Sequence, residues 1–234
     1  MNSLFLVVFD LDDTLYPEVD FVKSGFRAVA KHLNDSGLID AGSFYQMAWE
    51  LFIGGTRGKI FNNALERLGV AFTPDQIVDL VSIYREHHPD ISLFPDSLSL
   101  LKALKEYGCT LALVSDGPFQ TQMNKIRALG LEACFDHLIL TGAYGLDWGK
   151  PSPLAFLELM KKTGLEASKC VYVADNPSKD FLGPNRLGWF TIRVREKIGL
   201  YYDGMPVPDG EPREIVENLA ALRHRLLVWI KQNQ

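Results

Sequence analysis

Cysteine is scarce in this 234-residue chain. Its three cysteines, Cys109, Cys134 and Cys170, are an odd and widely spaced set. That excludes a disulfide framework and a zinc-ligand pattern. Cys109 and Cys170 sit in apolar runs and read as small buried hydrophobes, which fits a reducing compartment. An excess of basic charge is also lacking, since the formal net charge is -5. A general nucleic-acid binder needs basic surface to displace counterions from phosphates, so that class is disfavoured. A small phosphorylated ligand answers to one local site and is not excluded. No apolar run reaches membrane-spanning length. The apolar stretch from Met1 to Phe9 is short, is ended by Asp10 and Asp12, and lacks the basic start and cleavage pattern of a signal peptide. Internal repeats and low-complexity segments are absent too. The expectation is a soluble cytoplasmic protein, monomer or homodimer, with no nucleic-acid or membrane partner.

Apolar residues are plentiful at 47% of the chain, enough for a sizeable core in at most two domains. Leu4–Phe9, Cys109–Val114 and Cys170–Ala174 are short, unbroken apolar runs, as expected of strands buried on both faces. Leu138–Thr141 and Phe190–Val194 are weaker strand candidates. Arg193 alternates with Ile192 and Val194, a pattern that suits an edge strand. Helical patterns lie between the runs. Asp96 reads as the N-cap of a helix over Ser97–Tyr107, and Phe119–Leu129 reads as a helix stopped by Gly130. Ser152 reads as the cap of a helix with Pro153 at its first position. A further helix is expected over Ser178–Leu187. The alternation predicts an α/β fold, a doubly wound parallel sheet covered by helices on both faces.

One stretch breaks the alternation. From Asp20 to about His88 no strand stands out. Phe21, Val22, Phe26, Val29, Ala30 and Leu33 form one helical stripe. Thr73-Pro74-Asp75-Gln76 is a capping box with proline at the first position, and Gly54-Gly55 marks a turn. A helical domain over residues 17–89 is therefore expected, inserted into an α/β core of residues 1–16 and 90–234. In the tail, a Gly/Pro-rich loop from Gly199 to Pro212 precedes a last helix with Ile215, Leu219, Leu222 and Leu226 on one side.

The polar residues gather where the strands end, which is where parallel sheets bind ligands. The first strand runs into Asp10-Leu11-Asp12-Asp13-Thr14. Two close carboxylates repel, so a metal ion or a shared proton must hold them, and oxygen ligands suit a hard cation such as magnesium. The strand over Cys170–Ala174 also runs into acids, Asp175 at once and Asp180 about a helical turn later. Ser115, Asp116 and Gly117 follow the middle run, where a hydroxyl and backbone amides before a helix make an anion-binding concavity. Lys150, just before a capped helix, is placed to balance charge on a phosphoryl group and an aspartate.

Together these residues resemble the phosphatase branch of the haloacid dehalogenase (HAD) superfamily. All four family motifs occur in order and span nearly the whole chain. Asp10, Asp12 and Thr14 match the first motif, Ser115 the second, Lys150 the third, and Asp175 with Asp180 the fourth. The resemblance implies a Rossmann-like core, a helical cap between the first two motifs, and a Mg2+-dependent phosphatase. Asp10 would be the nucleophile and Asp12 the acid and base. Magnesium would bind the Asp10 carboxylate, the Asp12 main-chain carbonyl and Asp175. Asp180 would support the site by orienting Lys150, with Thr14 also supporting it. Ser115, the amides of Asp116 and Gly117, and Lys150 would hold the phosphoryl group. In the cap, Arg57 and Lys59 are candidate contacts to an anionic leaving group. Asp12 points away from dehalogenation, because a departing halide needs no proton.

The expected substrate is a small phosphorylated metabolite, a sugar phosphate or a nucleoside monophosphate. A phosphomutase of the same superfamily is the alternative, and a non-catalytic binding module is a further one. His87 and His88 read as an exposed helix end, Lys23, Arg27 and Lys31 as a solvated helix face, and Trp148 as filling a hydrophobic gap. Tyr201 and Tyr202 in the tail loop have no role at this level.

Overall fold

The apolar runs become the strands of one sheet, because a segment apolar on both faces is stable only when both faces are covered. The computed structural model describes residues 4–233. Its strands are β1 (Leu6–Phe9), β2 (Thr110–Ser115), β3 (His137–Leu140), β4 (Cys170–Ala174), β5 (Phe190–Val194) and β6 (Glu214–Val216). They pair in parallel in the order β3-β2-β1-β4-β5-β6. This is a doubly wound, Rossmann-like arrangement. The strand order reverses between β1 and β4, and ligands of such sheets bind beyond the carboxyl ends at that switch. Asp10 leaves β1 and Asp175 leaves β4, so both acids emerge at the reversal. The Asp10 amide donates to the Val173 carbonyl at 2.9 Å and extends the pairing one step toward the site.

The helices are α1 (Glu18–Asp35), α2 (Ala41–Ile53), α3 (Ile60–Arg67), α4 (Pro74–Glu86), α5 (Ser97–Glu106), α6 (Phe119–Ala128), α7 (Leu154–Thr163), α8 (Leu182–Arg186) and α9 (Leu219–Gln232). The chain divides into two compact units, a helical one over Asp20–Asp90 and the sheet-containing remainder. In the sheet unit one core layer joins Leu6, Val8, Tyr172 and Ala174 to Phe156, Phe181 and Trp189. The Phe156 ring meets Tyr172 and Trp189 edge-on, at centroid distances of 4.8 and 5.3 Å. Phe156→Ala is expected to cost about 3–5 kcal/mol, because so enclosed a cavity cannot collapse. Urea unfolding would measure the loss.

In the helical unit the expected stripe of α1, Phe21 through Leu33, is buried. Phe26 contacts Phe52, Phe61 and Tyr84. The Thr73/Gln76 capping box opens α4, with both reciprocal bonds made. Gly25 lets α1 pass close to α4, since a Cβ there would lie 2.4 Å from the Tyr84 ring.

Several expectations are corrected. β5 is not an edge strand, since it lies between β4 and β6. Arg193 interrupts it not to face water but because its buried guanidinium is spent on main-chain carbonyls. Residue Ile215 belongs to β6 rather than to the last helix; three residues are too few to display a period. The helix expected from Ser178 starts only at Leu182, because Asn176 caps a turn through the Ser178 amide and hydroxyl. Pro153 precedes α7 instead of opening it, and Asp96 makes no side-chain cap to α5. Ser97 instead ties that helix start to the Leu15 carbonyl at 2.8 Å. His87 is not merely an exposed end. Its ring bridges the Tyr84 carbonyl and the Ser24 hydroxyl, at 2.7 and 3.0 Å.

Candidate active site

The turn after β1 turns sharply because Asp13 adopts a left-handed conformation, with φ 51°. Its carboxylate holds two backbone amides, Glu18 at 2.8 Å and Leu200 at 2.7 Å. This leaves Asp10 and Asp12 directed to different partners. Asp10 accepts from the Lys150 ammonium at 2.7 Å. Lys150 is fully enclosed, and its nitrogen also lies 2.8 Å from Asp180 and donates to the Tyr172 hydroxyl at 3.0 Å. Burial by itself works against its charge. The charges of Asp10 and Asp180 outweigh that and hold it well above its usual range. Asp10 is raised to about 6, chiefly by burial, against the lowering charge of Lys150.

Asp175 and Asp180 complete an acidic cluster with Asp10. Each of the three offers a carboxylate oxygen within 4.8 Å of the others, and all three are buried. Asp180 is anchored by the Asn176 amide at 2.8 Å. Asp175 has neither an ion pair nor a hydrogen bond to its carboxylate among the described residues. Burial, then Asp180 and Asp10, push its carboxyl well above the ordinary value. One lysine cannot neutralise three buried acids. This all-oxygen donor set therefore fits a hard divalent cation. Asp12 does not bring its carboxylate into the cluster.

On the anion side, β2 ends in Ser115 and the chain turns at Gly117, with φ 126°. A Cβ on Gly142 would fall 2.1 Å from the Gly117 carbonyl, so two glycines let these loops touch. Asp116 caps this region. It accepts from the Thr141 hydroxyl at 2.9 Å and from the Lys150 amide at 3.2 Å, and pairs with Lys179 at 3.1 Å. Its acidity is raised because Lys150 and Lys179 outweigh burial. Thr14 is buried without a hydrogen-bond partner for its hydroxyl. Arg57 and Lys59 lie in the helical unit. Arg57 Nη1 donates there to the Phe52 and Thr56 carbonyls, at 2.8 and 3.0 Å. Lys59 is exposed at the start of α3.

Sequence reasoning missed four residues of this site. Gln122 and Lys125, on the inner face of α6, both contact Asp12. α6 buries Thr121, Gln122 and Lys125 beside Ile126, a polar face where an ordinary helix would bury an apolar stripe, and only the folded chain reveals it. Lys179 pairs with Asp116. Arg193 clamps the tail loop, donating to the Asp175 carbonyl at 3.0 Å and to the Tyr201 carbonyl at 2.6 Å. Tyr201 and Tyr202 are thereby placed beside Asp13 and Asp175.

Residues 7–194 match the family model for haloacid dehalogenase-like hydrolases. The chain belongs to that family. Among curated proteins, this HAD-like hydrolase is 30% identical to a glyceraldehyde 3-phosphate phosphatase from Methanopyrus kandleri, over 90% of this chain and 95% of the relative. It is 32% identical to a protein of the same name from Methanocaldococcus jannaschii, over 84% and 86%. The family match and these relatives place it in the phosphatase branch, an enzyme of the phosphoric monoester hydrolase class. The solved HAD hydrolase YfnB from Bacillus subtilis shares the fold, with a TM-score of 0.69 at 22% identity, over 96% of this chain and 99% of that one. No helix among the described residues is long and apolar enough to cross a membrane.

Proposed function

We propose that this enzyme hydrolyses a small phosphorylated metabolite through an aspartyl-phosphate on Asp10, with Mg2+ as its cofactor. The observation that carries the reading is the enclosed Lys150, 2.7 Å from Asp10 at the switch point of the sheet. In the first step an Asp10 oxygen attacks phosphorus in line. The bond from phosphorus to the leaving oxygen breaks, and that oxygen takes a proton from Asp12. In the second step Asp12 takes a proton from water. The water oxygen bonds to phosphorus, and the bond to Asp10 breaks, releasing phosphate and restoring the carboxylate. Ser115, the Asp116 and Gly117 amides and Lys150 hold the phosphoryl oxygens, as positioning and charge stabilisation supply most of the catalysis in such transfers.

Asp10, Asp175 and the Asp12 main-chain carbonyl would hold the magnesium ion, with Asp180 beside them. When bound, the ion supplies positive charge against the phosphoryl oxygens. Arg57 and Lys59 are proposed contacts for an anionic leaving group. The names of the relatives favour a three-carbon sugar phosphate over a nucleoside monophosphate.

A panel of sugar phosphates, nucleoside monophosphates and an aryl phosphate, scored for released inorganic phosphate, tests the proposal. Release is expected from at least the aryl phosphate and one small sugar phosphate. Isomer formation from a sugar phosphate without phosphate release would make the enzyme a mutase instead. No reaction with any member would overturn the reading.

A further inference from the structure

Asp12 is held by more partners than a carboxylate at a turn requires. Its Oδ1 accepts from the Lys125 ammonium at 2.7 Å and from the Tyr16 hydroxyl. Its Oδ2 accepts from the Gln122 amide at 3.0 Å. The Gln122 amide also donates to the Ser115 hydroxyl oxygen. Lys125 and Gln122 are both buried and stand three residues apart on α6, one turn of which faces Asp12.

A carboxylate offers about four acceptor positions, two on each oxygen. Lys125 and Tyr16 occupy both on Oδ1, and Gln122 occupies one on Oδ2. A single position is left, on Oδ2. The same amide fixes Ser115: with its oxygen accepting from Gln122, the Ser115 proton is free to point at a ligand.

We propose that Lys125 and Gln122 are positioning residues that aim Asp12 Oδ2, the oxygen that takes the proton from water when the aspartyl-phosphate is hydrolysed. This rests on the reading of Asp10 as nucleophile. The proton moves from water to Oδ2 as the water oxygen bonds to phosphorus and the Asp10–phosphorus bond breaks. An oxygen misplaced by about 1 Å loses about 10²-fold in rate.

The test uses Lys125→Met, Lys125→Arg and Gln122→Ala with p-nitrophenyl phosphate. Its leaving group departs without help from an acid, so only the second step needs Asp12. In Lys125→Met the burst of nitrophenol, measured by stopped flow, is expected to keep its wild-type rate, whereas Gln122→Ala, which also releases Ser115, is expected to slow the burst by less than it slows turnover. In both variants the steady-state kcat is expected to fall about 10²-fold, with phosphoenzyme accumulating on Asp10. Lys125→Arg, which keeps the charged donor, is expected to recover much of kcat. Circular dichroism confirms that each variant is folded.

Equal losses in burst and steady state, or a raised KM with unchanged kcat, would show a merely structural role and overturn the inference. So would variants as active as the wild type. A variant that fails to fold leaves the decision to the other two. Should the wild type form no phosphoenzyme while hydrolysing the ester, the nucleophile assignment falls, and this inference falls with it. Wild-type phosphoenzyme with unaffected variants overturns this inference alone.

Discussion

Asp10→Asn is expected to reduce hydrolysis of p-nitrophenyl phosphate by about four orders of magnitude or more, the scale on which enzymes lose rate with their nucleophile. An amide is a poor nucleophile toward phosphorus and forms no acyl-phosphate. The fold should survive. The substitution is isosteric, and the position is already one at which burial raises the carboxyl to about 6. The lost partner matters more for Lys150, which would keep Asp180 at 2.8 Å and Tyr172 at 3.0 Å as neighbours. Folding should therefore be retained by circular dichroism while phosphate release disappears. Activity close to wild type would refute Asp10 as nucleophile.

The second large effect concerns the cation. Chelation with EDTA is expected to abolish turnover, and added Mg2+ to restore it. The same ion should raise Tm, and the size of the gain should depend on pH in a defined direction. Burial, then Asp180 and Asp10, raise the Asp175 carboxyl well above the ordinary carboxylate range. Without the ion, its protonated form suits the fold. The stability associated with that proton is complete below the unfolded value and is lost as pH rises through the folded one. A cation must displace the proton, so its affinity increases with pH. At a free Mg2+ level of about 100 times Kd the stabilisation is about 2.7 kcal/mol. The gain in Tm should be larger near about pH 8 than near about pH 5.5, and should vanish in Asp175→Asn. A gain equal at both pH values, or one retained by the variant, would count against Asp175 as a ligand.

Much of the architecture is legible along the chain for a simple reason. A parallel strand buried on both faces must be apolar at every position, and Val7, Leu113 and Val171 belong to such runs. The glycine stops and the Thr73 capping box are equally local, since they depend on dihedral preferences and bonds within a few residues. The short strand β6 is illegible, because three residues carry no period and their pairing depends on distant chain, and α8 is legible as a helix but not in its start, which the Asn176 turn delays to Leu182. Arg193 misled for the same reason. An arginine between apolar residues signals water unless something buried awaits its donors, and the carbonyls of Asp175, Tyr201, Tyr202 and Gly204 become available only once the tail has folded back.

The amino-acid order alone determined which polar groups stand at the strand ends: Asp10 and Asp12 two residues apart after one apolar run, Ser115 after another, Asp175 after a third. Strand direction places all of them at one edge of a parallel sheet, and no long-range information is needed for that. Tertiary structure alone decided which partners they meet. Asp10 and Asp12 are neighbours in sequence, yet Lys150 from beyond β3 takes the first, and Lys125 with Gln122 from α6 takes the second. Which carboxylate meets which cation depends on side chains more than 100 residues apart. A local pattern carries no record of such a pairing, because only the folded chain brings those charges within a few ångströms.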